Sequence, residues 1–111
     1  MNFTVDKTIN MFSFFKKLFG PRIDYKALMQ AGAIIIDVRS PQEFDGGHIK
    51  GSKNIPVNII QREIASIKKM GKPVIIVCQS GTRSGIAKGI LKSVGIEVYN
   101  GGSWLGLRSK I

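Results

Sequence analysis

Two short segments of this sequence are largely apolar at consecutive positions, and they constrain the fold more than any other feature. Residues 33–39 read AIIIDVR and residues 73–77 read PVIIV. A strand that is apolar on both sides is covered on both faces, as in a parallel sheet flanked by helices. Because helical signals separate these runs, we predict an α/β protein in three layers, α/β/α, with a central parallel sheet of four or five strands.

Helix signals lie between and around the predicted strands. Ser40 and Glu43 have the spacing of a capping box, with Pro41 at the first helical position. The other predicted elements are a helix capped by Asp24 over residues 25–31, an extended segment at 53–56, a helix capped by Asn58 that ends near Gly71, a helix between Ser84 and Gly95, a strand at 96–99 and a short helix after Trp104.

The only cysteine of the chain lies directly after the second apolar run. Residues 78–84 read CQSGTRS, and a helical pattern follows at residues 85–91. Ligands of open parallel sheets bind beyond the carboxyl ends of strands, where we expect Cys78. Backbone N–H groups of the small loop residues, the N-terminus of the next helix and the Arg83 side chain all favour an anion there. We therefore predict that Cys78 is a nucleophile whose pKa lies below the ordinary value of about 8.5.

Composition excludes several classes of protein. With 111 residues, of which 43% are hydrophobic and 22% charged, the chain is expected to form one globular domain. One cysteine cannot form an intramolecular disulfide, and one cysteine with one histidine provides no zinc cluster. No apolar run approaches the roughly 20 residues of a membrane span, and charges such as Asp6 interrupt any signal peptide. We expect a cytoplasmic protein that needs no metal or cofactor.

Positive charge is concentrated in the second half of the chain. The formal net charge is +10, and from residue 66 onward eight basic residues accompany one acidic residue, Glu97. The simplest interpretation is a solvated basic surface, and a second is steering of anionic substrates toward Cys78. Because no RNA-binding aromatic motif or helix-turn-helix pattern occurs, nucleic acid is not an expected partner.

Three segments carry recognisable motifs: residues 37–44 (DVRSPQEF) continued by 47–56 (GHIKGSKNIP), the loop at 78–84, and GGSW at 101–104. Together they resemble the motifs of single-domain rhodaneses, which are sulfurtransferases. The resemblance implies a rhodanese-like domain over residues 23–111, preceded by an extension over residues 1–22 that the family motifs do not cover.

The resemblance implies a two-step sulfur transfer through Cys78. The thiolate attacks the sulfane sulfur of thiosulfate or a persulfide donor, and the resulting Cys78 persulfide passes its sulfur to cyanide or to a thiol such as glutathione or thioredoxin. The loop backbone holds the negative charge, as an oxyanion hole does. Gln79 departs from the arginine that many members carry, which bears on donor preference. The residues expected to bind substrate are Gln79, Ser80, Gly81, Thr82, Arg83 and Ser84.

Residues outside the loop are expected to support it. Asp37, at a strand end, should bond backbone donors around the loop or pair with Arg39 or Arg83, because a buried carboxylate needs such partners. Trp104 is interpreted either as a wall of the pocket or as a core side chain. His48 is interpreted as structural, since an ionised thiol needs no general base, and Glu43 as the acid of the capping box.

Two other functions stay open. Cysteine phosphatases and arsenate reductases are similar in their loop but place arginine six positions after the cysteine, whereas Arg83 is five positions after Cys78. A non-enzymatic sulfur carrier or adaptor is the second alternative. It would use residues 11–19, from Met11 to Phe19, whose pattern predicts an amphipathic helix. Such a helix packs on its own domain, on a membrane surface or on a partner protein.

Overall fold

The computed structural model describes residues 22–111. The amphipathic helix predicted at residues 11–19 lies outside the described residues. Among residues 22–111, no helix combines the length and the apolar character that crossing a bilayer requires. The elements in chain order are α1 (Tyr25–Gln30), β1 (Ile34–Asp37), α2 (Pro41–Asp45), β2 (Lys53–Asn54), a 3₁₀ helix (Val57–Glu63), α3 (Ile64–Met70), β3 (Val74–Cys78), α4 (Thr82–Ser93), β4 (Val98–Ser103) and α5 (Trp104–Arg108).

The four strands form one parallel sheet in the order β2-β1-β3-β4. The inner strand β3 is buried at all five positions, because helices cover both of its faces. On one face, the 3₁₀ helix, α3 and α4 contribute Ile60, Ile67 and Leu91 to the larger core cluster. On the other face, α1 and α5 contribute Leu28 and Leu107 to a smaller cluster. The prediction of a three-layer α/β/α fold with a parallel sheet of four or five strands is confirmed, and the sheet has four.

Two predicted helix starts are confirmed by their hydrogen bonds. Asp24 Oδ1 accepts from the Ala27 N–H at 2.9 Å, and α1 begins at the next residue. Ser40 Oγ accepts from the Glu43 N–H at 3.3 Å, while Glu43 Oε1 accepts from the Ser40 N–H at 3.1 Å. These bonds satisfy N–H groups that have no partner inside a helix. The capping box thereby holds Glu43 close to the carboxyl end of β1.

The prediction that Asn58 caps a helix is wrong. Asn58 is exposed and lies inside the 3₁₀ helix, which follows Pro56 and has no side-chain cap. The Pro56 carbonyl accepts from the Ile59 N–H, three residues on, so the chain starts in the tighter 3₁₀ geometry. Regular α-helical structure begins only at Ile64.

Two further boundaries differ from the sequence predictions. α4 begins at Thr82, ahead of Ser84, because Gly81 adopts a φ of +100° and turns the chain directly into the helix. β4 continues to Ser103 rather than ending at residue 99, since a register shift opposite Val77 lets the pairing with β3 continue. Both differences extend regular structure toward the cysteine loop.

Candidate active site

Cys78 is the last residue of β3 and lies at the carboxyl edge of the sheet. Its free thiol belongs to the larger core cluster, and only 1% of the residue is exposed. β1 ends beside β3 with Asp37 paired to Val77, and β4 ends on the other side with Ser103 paired to Cys78. The segments that follow three strands therefore meet around the sulfur, as at the ligand sites of other parallel sheets.

The loop after Cys78 brings a backbone N–H and a hydroxyl to the sulfur. The Gly81 N–H donates to Cys78 Sγ at 2.9 Å, and Ser84 Oγ lies 3.3 Å from Sγ. Residue 81 favours glycine because its φ of +100° lies in the left-handed region. The N-terminus of α4, with its partial positive charge, begins at the next residue. This arrangement stabilises negative charge on sulfur.

Hydrogen bonds at this sulfur outweigh its burial. Burial alone raises the pKa of the Cys78 thiol, but the Ser84 hydroxyl and the backbone N–H groups of Ser84, Gly81 and Ser80 bring that pKa below its ordinary value. The direction agrees with the sequence prediction. The leading cause differs from the prediction, because the hydrogen bonds at the sulfur lower the pKa of Cys78 most. The Arg83 charge also interacts with Cys78, since the thiolate helps to raise the pKa of Arg83.

The guanidinium of Arg83 is engaged by a carboxylate of the same chain. Arg83 Nη1 donates to Glu43 Oε1 at 2.7 Å, and Nη2 donates to Oε2 at 2.9 Å. Two groups contribute most to lowering the pKa of Glu43 to about 2: the Arg83 guanidinium has the larger effect, and the backbone N–H of Ser40 has the smaller one. Glu43 thus serves both the capping box and this ion pair. Sequence reasoning missed the pair, whose partners lie 40 positions apart in the chain.

The other loop residues predicted to bind substrate differ in exposure. Ser84 is fully buried, whereas Gln79, Ser80 and Thr82 are exposed. The backbone N–H of Ser80 nevertheless helps to lower the pKa of Cys78. The structure therefore brings Gly81 and Ser84 into hydrogen-bond contact with the sulfur and leaves Gln79, Ser80 and Thr82 open to solvent.

Asp37 and Arg39 form a buried ion pair beside the site. Arg39 Nη2 lies 2.7 Å from Asp37 Oδ2, and the two side chains are 3% and 0% exposed. Arg39 Nη2 also donates to the Gly47 carbonyl at 2.7 Å. Asn54 Nδ2 donates to the backbone carbonyls of both charged residues, at 3.0 and 2.9 Å. Of the partners predicted for Asp37, the one found is Arg39, and the pair stabilises the turn after β1.

Trp104 and His48 lie in structural surroundings. Trp104 packs against the smaller core cluster, whereas Cys78 belongs to the larger one. The Arg39 guanidinium lies 4.9 Å from the centre of the Trp104 ring. His48 Nδ1 donates to the Phe44 carbonyl at 2.7 Å, and the two rings stack with 3.6 Å between centroids. These contacts favour a core position for Trp104 and agree with the structural interpretation of His48.

Asn100 of β4 is a residue of the site that sequence reasoning missed. Its Oδ1 accepts from the Ser84 hydroxyl at 2.7 Å and from the Gly102 N–H at 2.9 Å. Its Nδ2 donates to the Gly81 carbonyl at 3.3 Å. Asn100 thus contacts both residues that hydrogen-bond to Cys78 Sγ. The signal that could have found it is a polar side chain near the carboxyl end of the neighbouring strand.

The groups available for chemistry here are a thiol, N–H groups, hydroxyls and two ion pairs. In the part of the chain that the structure describes, no three His, Cys, Asp or Glu side chains cluster in a way that could hold a metal ion. An activated thiol at a helix N-terminus can act as a nucleophile toward sulfur, carbon or phosphorus.

Comparison with known proteins indicates which of these reaction classes to expect. Residues 23–104 match the family model of the rhodanese-like domain. The YqhL protein of Bacillus subtilis is 45% identical over 69 residues, which are 61% of this chain and 54% of that protein. The thiosulfate sulfurtransferase GlpE of Stutzerimonas stutzeri is 36% identical over 75 residues, covering 67% of this chain and 68% of GlpE. A solved rhodanese with anions from E. coli has a TM-score of 0.63 and 32% identity, covering 68% of this chain and 91% of that one. The match thus spans about half the length of YqhL.

Proposed function

Because the chain belongs to the rhodanese family, we propose that it is a sulfurtransferase in which Cys78 carries the transferred sulfur as a persulfide. The observation that carries the proposal is the pair of groups at Cys78 Sγ, the Gly81 N–H at 2.9 Å and the Ser84 hydroxyl at 3.3 Å. Such groups favour the thiolate, which is the form that attacks a sulfur atom. GlpE is named a thiosulfate sulfurtransferase, which supports thiosulfate or a similar compound as the sulfur donor of this chain.

In the first half-reaction, the Cys78 thiolate attacks the outer sulfur of thiosulfate or of another sulfane donor. A bond forms between Sγ and that sulfur while its bond to the sulfonate sulfur breaks, and the electron pair leaves with sulfite. The product is a persulfide whose outer sulfur carries the negative charge. The anions in the related E. coli rhodanese support a small anionic donor.

In the second half-reaction, a nucleophile removes the outer sulfur. A thiolate such as that of glutathione or thioredoxin attacks the outer sulfur. The bond between the outer sulfur and Sγ breaks, and the Cys78 thiolate is restored. The acceptor leaves as a persulfide, or as thiocyanate when the acceptor is cyanide. One cysteine suffices because the acceptor restores it. Because the cytoplasm keeps small thiols such as glutathione reduced, we propose that the reaction takes place there.

A phosphatase activity is the weaker alternative. Arg83 lies five positions after Cys78, and its guanidinium already binds Glu43 through two hydrogen bonds. Holding a tetrahedral phosphate requires donors that are free to surround its oxygens. A sulfur carrier that serves one dedicated protein would form the same Cys78 persulfide and differs only in its acceptor.

The decisive experiment measures the intact mass of the chain after incubation with thiosulfate. We expect the wild type to gain one sulfur atom and to release thiocyanate when cyanide is added. Cys78→Ser, which keeps a similar side-chain volume, should show neither change while its circular dichroism spectrum stays that of the wild type. A folded wild type that gains no sulfur would contradict the proposal. Phosphate release from an aryl phosphate, lost in Cys78→Ser, would instead support the phosphatase.

A further inference from the structure

Ser84 places one hydroxyl between two acceptors. Its Oγ lies 3.3 Å from Cys78 Sγ on one side and 2.7 Å from Asn100 Oδ1 on the other. Ser84 and Cys78 are buried, at 0% and 1% exposure. Because water has little access to these groups, the hydrogen bonds between them decide which charge states are favourable.

A hydroxyl has one proton to donate, so Ser84 can satisfy only one of these acceptors at a time. With the thiol protonated, the Ser84 hydroxyl donates to Asn100 Oδ1 and accepts from the thiol. With the thiol ionised, Sγ is the stronger acceptor, and the same proton must turn toward it. Ionisation of Cys78 therefore breaks the bond between Ser84 and Asn100.

The orientation of the Asn100 side chain is held by its own partners. Its Oδ1 accepts from the Gly102 N–H at 2.9 Å, and its Nδ2 donates to the Gly81 carbonyl at 3.3 Å. Turning the amide over would place its NH₂ group against the Gly102 N–H, with two donors facing each other. The backbone carbonyl of Asn100 also accepts from the Tyr25 hydroxyl at 3.0 Å. The acceptor that competes for the Ser84 proton is therefore fixed in place.

The charged groups nearest the loop are themselves paired. On α4, Arg83 is bound by Glu43 of α2. On β1, Asp37 is bound by Arg39. Because each of these charges lies close to an opposite charge, the two pairs have a reduced effect on the ionisation of Cys78. The hydrogen bonds at Sγ therefore influence that ionisation more strongly.

We propose that Asn100 is a positioning residue that competes with the Cys78 sulfur for the Ser84 hydroxyl proton and so controls how readily the thiol ionises. The competition has a chemical use. A thiolate that is stabilised too strongly is a weaker nucleophile, and the best attacking thiol ionises near the ambient pH. Asn100 moderates the stabilisation that Gly81 and Ser84 provide. For catalysis this inference rests on the proposed sulfur transfer, but its effect on the thiol can be measured without any turnover.

The test is the pH dependence of alkylation of the full chain by iodoacetamide, which reports Cys78 alone because the chain has one cysteine. Asn100→Ala should lower the thiol pKa by roughly half to one unit, about three- to tenfold in thiolate fraction. Asn100→Asp should raise the thiol pKa, because it adds a negative charge beside Ser84. Ser84→Ala should also raise it, and Asn100→Ala should have no effect in the Ser84→Ala background.

A loop that merely loosens would give the opposite sign, because losing the N–H groups around Sγ raises the thiol pKa. A thiol pKa that rises or stays unchanged in Asn100→Ala, or that falls equally with and without Ser84, would overturn the inference. Asn54→Ala is the matched control, since it also removes a half-buried asparagine that binds two backbone groups. We expect no change in thiol pKa there. A chain that shows these shifts but transfers no sulfur would refute the proposed function and leave this inference standing.

Discussion

The Arg83 guanidinium and the Glu43 carboxylate meet through two hydrogen bonds, of 2.7 and 2.9 Å. The pair joins α4, which follows the cysteine loop, to α2, which follows β1. A paired arginine keeps its position but offers an incoming anion fewer free N–H groups. The anionic donor that we propose must therefore compete with Glu43 or bind to the loop backbone alone.

Replacing Glu43 by glutamine separates these two cases. Glutamine can still close the capping box with Ser40, but it leaves Arg83 without a charged partner. We expect KM for thiosulfate to fall roughly two- to fivefold, as for a partly exposed ion pair, with kcat unchanged because the backbone donors remain. Steady-state kinetics would show this. Adding Arg83→Met should remove the gain, whereas a higher KM in Glu43→Gln alone would mean that the pair holds Arg83 in its binding position.

Acid stability provides a second prediction from the same carboxylate. The pKa of Glu43 is about 2 in the folded chain, against an ordinary 4.5. The unfolded chain thus takes up a proton at higher pH, so the stabilisation is complete above pH 4.5 and is lost as pH falls toward 2. The denaturant midpoints of the wild type and Glu43→Gln should converge over that range. A constant difference between them would contradict this assignment.

Glycine at the turn of the loop is expected to matter for chemistry as well as stability. Gly81 and Gly71 have φ values of +100° and +64°, so alanine is strained at both, by roughly 1–2 kcal/mol. Gly71→Ala, remote from Cys78, should lower the free energy of unfolding and leave the thiol pKa alone. Gly81→Ala should also displace the N–H that donates to Sγ and raise the thiol pKa. Denaturation and alkylation rates together measure both effects, and equal thiol pKa values in the two variants would be evidence against the role of Gly81.

Breaking the buried pair of Asp37 and Arg39 should mainly lower the free energy of unfolding. Asp37→Asn leaves a buried guanidinium without its charged partner, a loss of about 3–5 kcal/mol. Asp24→Asn is the matched control, because asparagine caps a helix as well as aspartate does. Chemical denaturation should show a large loss for the first and almost none for the second. A stable Asp37→Asn variant with reduced turnover would assign Asp37 a direct part in the reaction.

Local features of the sequence predicted much of the fold. Consecutive apolar residues on β1 and β3 indicated strands buried on both faces, and the structure covers both. The capping box at Ser40 and Glu43 was readable because its partners are three positions apart. The prediction for Asn58 was wrong because a 3₁₀ helix begins after Pro56. A residue type that is typical of α-helix caps does not distinguish this tighter helix from an α-helix.

The sequence by itself determined where the candidate nucleophile Cys78 lies and that N–H groups surround its sulfur. Cys78, the glycine three residues later and the helix start are all local in the chain. Only the tertiary structure decided which distant side chains bind the loop residues around that sulfur. Glu43 reaches Arg83 across 40 positions, and Asn100 reaches Ser84 across 16. Both contacts depend on β1 and β4 lying on either side of β3. Strand order is set by packing between distant segments, which the periodicity of any one segment does not encode.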